Sequence, residues 1–390
     1  MLCKKGDPVK ITKITAVPIS YRLPEGKTVT MGVGSTLKRD AIIVRVETSE
    51  GIVGYGESHP GRSPGAIVSL IHNTLSPLLV GMPATDVVGA WQRVHRMQFS
   101  SHGLGAGTAL ALSGIDMALW DIRGKAANMP LYELLGGSRK RLPAYAGGIA
   151  LGYQAPQALA EEAQSYIEQG YRAVKLRIGD TVKDDIARCL HVRKVLGDDI
   201  DILTDANTAY TIAQARRVLP VLADIQAGWL EEPFACNDFA SYREAAKITP
   251  LVPIAAGENH FMRFEFAQML EAGAVQVWQP DLSKTGGITE AQRIAAMASA
   301  FRIPINAHSS ATGLNHAATL HFLAATENAG YFEACVSHFN PFRDMFGPTF
   351  KIGADGCVEP PAGPGLGVEV DESIFDKFPA VDGPGYVVKF

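Results

Sequence analysis

From Leu142 onward the chain repeats one phrase: a short apolar run of β-forming residues, a polar residue near its end, then a helical pattern. The runs are Ala144–Gly147, Ala173–Leu176, Asp201–Thr204, Gly228–Leu230, Pro253–Ala256, Val275–Trp278, Ile303–Asn306 and Tyr331–Phe332. They recur at roughly 20–30 residues, with helical stretches such as Ala155–Gln169 and Ile212–Leu222 between them. Eight such strands alternating with helices are the rhythm of a TIM-type barrel.

The first part of the chain is built differently. Val9–Ser20 and Ala41–Glu47 are rich in β-formers, and a turn at Ser49-Glu50-Gly51 joins the second to Ile52–Tyr55 as a hairpin. Helical patterns follow over Ala66–Leu79, Ala84–Met97 and Thr108–Ala127, the last stopped by Pro130. Strands and then helices in blocks predict an α+β domain over 1–140, ahead of a barrel over 141–355. The segment 356–390 is rich in Gly and Pro and is expected to pack back on the first domain.

Charged residues make up 19% of the 390 positions and the net charge is -4, which gives no electrostatic case for nucleic acid or an acidic membrane surface. Five scattered cysteines without a CxxC pair suit free thiols in a reducing compartment rather than a disulfide framework or thiolate zinc. Met1–Lys10 is charged and has no apolar leader, and no apolar run reaches the roughly 18–20 residues of a membrane span. A soluble, cytoplasmic protein is expected. Gly103, Gly105 and Gly107 are spaced GxGxG, not GxGxxG, with no clear strand before them, so they read as the start of a helix rather than a nucleotide site.

In a barrel, function collects at the C-terminal ends of the strands. Those ends carry Lys175 and Arg177, Asp205 with Asn207, Glu231, Glu258, Asp281, His308 and Glu333. A single acid after a strand is usually a helix cap or half of an ion pair; seven ionisable strand ends on one face are a site. Asp205, Glu231 and Glu258 come from consecutive strands, and three converging carboxylates repel one another unless a cation sits between them. An all-oxygen donor set selects a hard ion, Mg²⁺ first and Mn²⁺ second, with coordination positions left for water and substrate. Asp281 against His308 would orient the ring and raise its basicity, making His308 a general base or acid. Lys175 and Arg177, two apart on a strand, face the same way, and two cations beside a metal imply an anionic substrate. Arg177 is a poor base because guanidinium keeps its proton, whereas a buried Lys175 beside other cations could have a depressed pKa and serve as one.

The chain resembles the enolase superfamily, and within it the mandelate racemase subgroup. The resemblance rests on ALSGIDMALWDIRGKAANMPLYELLGG (Ala111 to Gly137) and, in the barrel, on KLR at Lys175–Arg177, TDAN at Thr204–Asn207, EEP at Glu231–Pro233, GEN at Gly257–Asn259, QPDLSKTGGITE at Gln279–Glu290 and NAHSS at Asn306–Ser310. It implies an α+β N-terminal capping domain followed by a modified TIM (β/α)7β-type barrel. It also implies Mg²⁺ ligands at Asp205, Glu231 and Glu258, a catalytic His308–Asp281 dyad, and Glu333 as a hydrogen-bonding partner of a substrate carboxylate oxygen, hence protonated at least transiently. Lys-x-Arg stands where racemases of the subgroup carry Lys-x-Lys, so the chain looks more like the acid-sugar dehydratases, which convert a small carboxylic acid to a 2-keto-3-deoxy acid. Racemase, epimerase and lactone cycloisomerase are the neighbouring alternatives, and a degenerate binding barrel is a remote one. The resemblance also implies a homo-oligomer, dimer or octamer. Capping loops at about Tyr21–Thr36 and His59–Gly65 would select substrate, with Arg62 and Asn207 as candidate contacts.

Overall fold

The computed structural model describes residues 9–101, 105–309, 311–344, 346 and 349–387. Cys3, Gly103, Ser310 and the last three residues of the chain, named above individually or within a motif or segment, lie outside them.

Ile11–Arg22, Lys38–Thr48 and Val53–Ser58 form an antiparallel three-stranded sheet in that order. The helix Gly105–Ala127 lies across it. Gly54 and Gly56 face that helix from one side of their strand, and the approach is backbone to backbone: a Cβ on Gly56 would stand 2.1 Å from the carbonyl oxygen of Gly114. Most of the helix is buried, because its other faces dock on the barrel.

That docking explains the first-domain motif. The Ser113 hydroxyl accepts from the Gly286 N–H (2.9 Å), Asp116 accepts from the Thr289 N–H (2.9 Å), and the Trp120 indole donates to the Thr289 hydroxyl (2.9 Å). These contacts meet the barrel helix Ile288–Ala300 at its N-terminus, where free N–H groups call for acceptors. Glu57 does the same at the next barrel helix, Gly313–Ala324, accepting from the N–H (3.1 Å) and hydroxyl (2.5 Å) of Thr312.

The barrel strands are Leu142–Gly147, Ala173–Arg177, Asp201–Asp205, Leu230–Glu231, Ile254–Ala256 and Val277–Trp278, paired in parallel, with the final strand Phe332–Cys335 returning to the first. Where the sequence predicts a strand over Ile303–Asn306, Ile305 alone bridges, to Trp278 and to Ala329. Pro304 has no N–H to contribute to a longer ladder. Among the described residues seven helices of this barrel stand between eight strand positions, the (β/α)7β arrangement. The tail divides: Cys357–Val358 stays with the barrel, antiparallel to Leu142–Pro143, while Tyr386–Val387 pairs with Ser35–Thr36 of the capping domain. Glu372 adds bonds to Arg45 (2.7 Å) and the Tyr55 hydroxyl (2.6 Å). Cys189, Cys236, Cys335 and Cys357 are free thiols, and no helix of the described residues is long and apolar enough to cross a membrane.

Inside the barrel Tyr145, Ala173, Leu203, Trp229, Ala255, Val277 and Tyr331 form one apolar layer, its three aromatic rings meeting edge to face. Side chains two residues further along a strand point the same way, one layer nearer the C-terminal mouth. From those seven positions the step leads to Gly147, Lys175, Asp205, Glu231, Gly257, Gln279 and Glu333. A polar layer thus sits directly on an apolar floor.

Candidate active site

Lys175 lies at the centre of that polar layer with its side chain fully buried. Its ammonium donates to both oxygens of Glu231 (2.9 and 3.1 Å) and pairs with Glu333 (3.0 Å) and Asp205 (3.5 Å). Burial favours the neutral amine, but Glu231, Glu333, Tyr145 and Asp205 more than reverse this and hold Lys175 well above its ordinary value. The depressed pKa read from the sequence is therefore corrected: the neighbours that count are carboxylates, and Lys175 is a fixed cation. Arg177 is locked as well. It pairs with Asp205 and with the carbonyl of Gly148, and donates to the side-chain oxygen of Asn207 at 3.2 Å.

Glu333 accepts from the Gly148 N–H (3.0 Å). Burial pushes its pKa up, but Lys175, His308 and Arg177 outweigh burial and keep it ionised. Glu231 is also held by the Trp229 indole (3.1 Å) and the Gln279 amide (2.7 Å), yet burial and the negative charge of Asp205 raise its pKa.

Glu258 and Asp281 follow their strands by two and three residues, and His308 follows Ile305 by three. His308 joins them: Nδ1 stands 2.6 Å from Asp281 and Nε2 2.6 Å from Glu258, with Glu333 at 3.8 Å. Burial lowers the pKa of the ring, but Glu258, Glu333 and Asp281 raise it well above its ordinary value. With each ring nitrogen 2.6 Å from a carboxylate oxygen, this geometry favours the protonated ring, and Nε2 is occupied by Glu258. Lys284 balances Glu258 from the side at 3.3 Å.

Sequence reasoning missed Lys284, Gln279 and Glu232. Lys284 is three residues past Asp281 in the same loop, and Gln279 two residues before it, so a count along the motif reaches both. Glu232 adjoins Glu231 but turns away at a φ of 37°. It accepts from Asn259 (2.8 Å), and burial and the charges of Glu258 and Asp205 push its pKa well up. Asn207 also has a positive φ, 44°, and its side chain meets Arg177. Arg62 is not among the central group: it is exposed, with its guanidinium 5.1 Å from the Tyr386 ring.

Among the described residues no three Asp, Glu, His or Cys side chains are gathered as a ready coordination shell. The carboxylates are distributed over protein cations: Asp205 and Glu231 on Lys175, Asp205 also on Arg177, Glu258 on His308 and Lys284. The donor chemistry nevertheless fits a hard divalent ion. Asp205, Glu231 and Glu258 are buried or nearly buried carboxylates on consecutive strands; the charges of Asp205 and Glu258 add to burial in raising the pKa of Glu231, and a divalent cation relieves that repulsion.

Comparison with known proteins places the fold in a family. Residues 13–136 match the mandelate racemase/muconate lactonizing enzyme N-terminal domain, and residues 158–374 match the enolase C-terminal domain-like family. An arabinonate dehydratase of Saccharolobus solfataricus is 32% identical over 87% of this chain and 90% of its own length. A 3,6-anhydro-alpha-L-galactonate cycloisomerase of Streptomyces coelicolor is 32% identical over 92% of this chain and 96% of its own. Among solved structures, an enolase superfamily member from Polaromonas sp. JS666 is 84% identical, with a TM-score of 0.95 over 97% of this chain and 100% of that one. A racemase from Streptomyces coelicolor A3(2) with bound magnesium is 29% identical, with a TM-score of 0.85 over 94% of this chain and 99% of that one.

Proposed function

The chain belongs to the mandelate racemase/muconate lactonizing enzyme family of the enolase superfamily, and from that premise we propose that it dehydrates an acid sugar to a 2-keto-3-deoxy acid. Asp205, Glu231 and Glu258 would hold Mg²⁺, with Mn²⁺ as a substitute. When bound, the ion polarises the substrate carboxylate as a Lewis acid.

The chain's own residues do the rest. Lys175 and Arg177 supply fixed positive charge where negative charge develops on the carboxylate oxygens, in a site too buried for water to screen it. His308, oriented by Asp281 through Nδ1, takes the α-proton at Nε2 once that nitrogen is free of Glu258. The resulting imidazolium passes a proton to the β-hydroxyl, which leaves as water.

One observation carries dehydration over racemisation: neither cation of Lys175-Leu176-Arg177 is a base. Lys175 is paired with Glu333, which is not among the proposed metal ligands, and Arg177 keeps its guanidinium proton, so His308 has no basic counterpart in this pair. The 32% identity to the arabinonate dehydratase supports the same reaction class. The similar cycloisomerase favours one other reading, intramolecular expulsion of an ether oxygen, which yields a product of unchanged mass.

The test is a screen of the Mg²⁺-loaded enzyme against aldonic, aldaric and 3,6-anhydroaldonic acids, detecting 2-keto acids with semicarbazide and weighing the product. A keto acid lighter by one water, absent with His308→Asn, establishes the dehydratase. A keto acid of unchanged mass moves the enzyme to the cycloisomerases. We further propose a cytoplasmic homo-oligomer, dimer or octamer, which light scattering of the purified protein distinguishes.

A further inference from the structure

Beneath the capping domain lies a cavity of about 80 Å³. Arg39, His59, Arg62 and Tyr386 line it from the capping domain and tail, Ile149 and Asn340 from barrel loops. It borders the catalytic face. The His59 N–H is bonded to the carbonyl of Ser283, two residues past Asp281, at 3.0 Å, and Ala311, also in the wall, is three residues past His308.

The charges in this wall do not balance. Lys38 is paired with Asp40 at 3.0 Å, and Asp40 also accepts from the Ser20 hydroxyl (2.6 Å). Arg39 and Arg62 have no ion pair among the described residues. Arg39 is only 7% exposed, and its Nε and Nη2 are buried without a hydrogen-bond partner among those residues. Burial lowers its pKa, and the groups that act on its charge are Cys335, whose thiol is itself pulled down to about 6, Tyr386 and Arg343, none of them a carboxylate. Asn340 donates to the Ala311 carbonyl (3.0 Å) and leaves its own side-chain oxygen unpaired.

A buried guanidinium without an acceptor costs free energy that an arriving anion returns. Nε and Nη2 share one edge of the guanidinium plane, the fork that matches two carboxylate oxygens. The reacting carboxylate has its own cations, Lys175 and Arg177, so an anion here is a second one.

We propose that Arg39 is the counter-charge for a far carboxylate, so that the substrate is an acid sugar with a carboxylate at each end, an aldaric rather than an aldonic acid. This rests on the dehydratase reading only for the reaction at the near carboxylate.

The test is steady-state kinetics of the Mg²⁺-loaded enzyme on matched pairs of equal length and configuration, galactarate against galactonate and glucarate against gluconate. Wild type should prefer the diacid. Arg39→Gln should lose roughly 10- to 100-fold of that preference, mostly in KM, with the monoacid little changed and Arg39→Lys intermediate. Wild-type preference for the monoacid, or a ratio untouched by Arg39→Gln, overturns the proposal and leaves the dehydratase standing. Preference for 6-phosphogluconate over both overturns it in favour of a phosphate.

Calorimetric titration of the same acids into His308→Asn protein covers the remaining cases. Arg39-dependent binding of the diacid without any turnover keeps the subsite and removes the dehydratase. Equal affinity for diacid and monoacid overturns the subsite even if Arg39→Gln cannot be purified.

Discussion

His308 Nδ1 lies 2.6 Å from the Asp281 carboxylate, and the other oxygen of that carboxylate accepts from the N–H and hydroxyl of Ser283, both at 2.7 Å. Burial pushes Asp281 up, but the hydrogen bond and charge of His308, with Lys284, pull it down to about 2. The ring is therefore oriented by a fixed anion. Asp281→Asn should lower kcat by roughly 10²- to 10⁴-fold, the usual contribution of a positioned acid or base, with KM little altered. Unchanged turnover would remove Asp281 from the mechanism.

Mg²⁺ should raise the melting temperature of the wild type, by an amount equivalent to about 3 kcal/mol at a hundredfold excess over Kd. Asp205→Asn, Glu231→Gln and Glu258→Gln should each abolish that rise, whereas Glu232→Gln should keep it. Chelation should stop turnover and Mg²⁺ or Mn²⁺ restore it. A rise that survives in Glu231→Gln but not in Glu232→Gln would transfer the ligand role to the neighbour.

Turnover in D₂O, stopped early, should return unreacted substrate without its epimer, because Arg177 keeps its guanidinium proton and Lys175 is ion-paired with Glu333, which leaves His308 without a second base. NMR of the recovered acid decides this. Deuterated epimer would mean a second base and an isomerase.

Burial pushes Glu57 up to about 8 although Thr312 donates to it twice. Unfolded, the group titrates near 4.5. Between those values the folded chain holds a proton that the unfolded chain has lost, so this group's stabilising effect falls as pH rises through the window. The slope is at most about 1.4 kcal/mol per pH unit. Denaturant melts of wild type and Glu57→Gln should diverge in favour of the variant between about pH 5 and about pH 8. Parallel curves would refute a protonated Glu57.

Gly56→Ala should destabilise by roughly 3 kcal/mol or more, since the new Cβ meets the Gly114 carbonyl at 2.1 Å and neither backbone can rotate away. Urea midpoints measure it. Gly51→Ala is the comparison: it has open space but a φ of 76°, so it carries only the backbone cost of a left-handed turn.

The barrel was legible because period-two inward residues pass from an apolar layer to a charged one in four of its strands, so Lys175, Asp205, Glu231 and Glu333 stand out from the apolar runs around them. Glu258, Asp281 and His308 sit beyond the last paired residues, and only their regular order along the chain brought them in. The directions of the pKa shifts at Lys175 and Glu333 were not legible, because they depend on which charges of other strands stand within a few ångströms. Glu232, Lys284 and Arg39 escaped notice for a related reason: each is defined by a partner, or by the lack of one, far away in the chain.

The helix carrying Ser113, Asp116 and Trp120 fastens the capping domain to the barrel without using Arg39, His59 or Arg62. Most of the fastening and the proposed inspection thus fall to different parts of one domain, His59 adding a single backbone bond to Ser283. The strand end at Lys38–Asp40 and the turn at His59–Arg62 form a cassette that can be rewritten for a new acid while the anchoring helix stays as it is. Exchanging that cassette with a relative, rather than the whole domain, is the transplant most apt to carry substrate choice and leave folding intact.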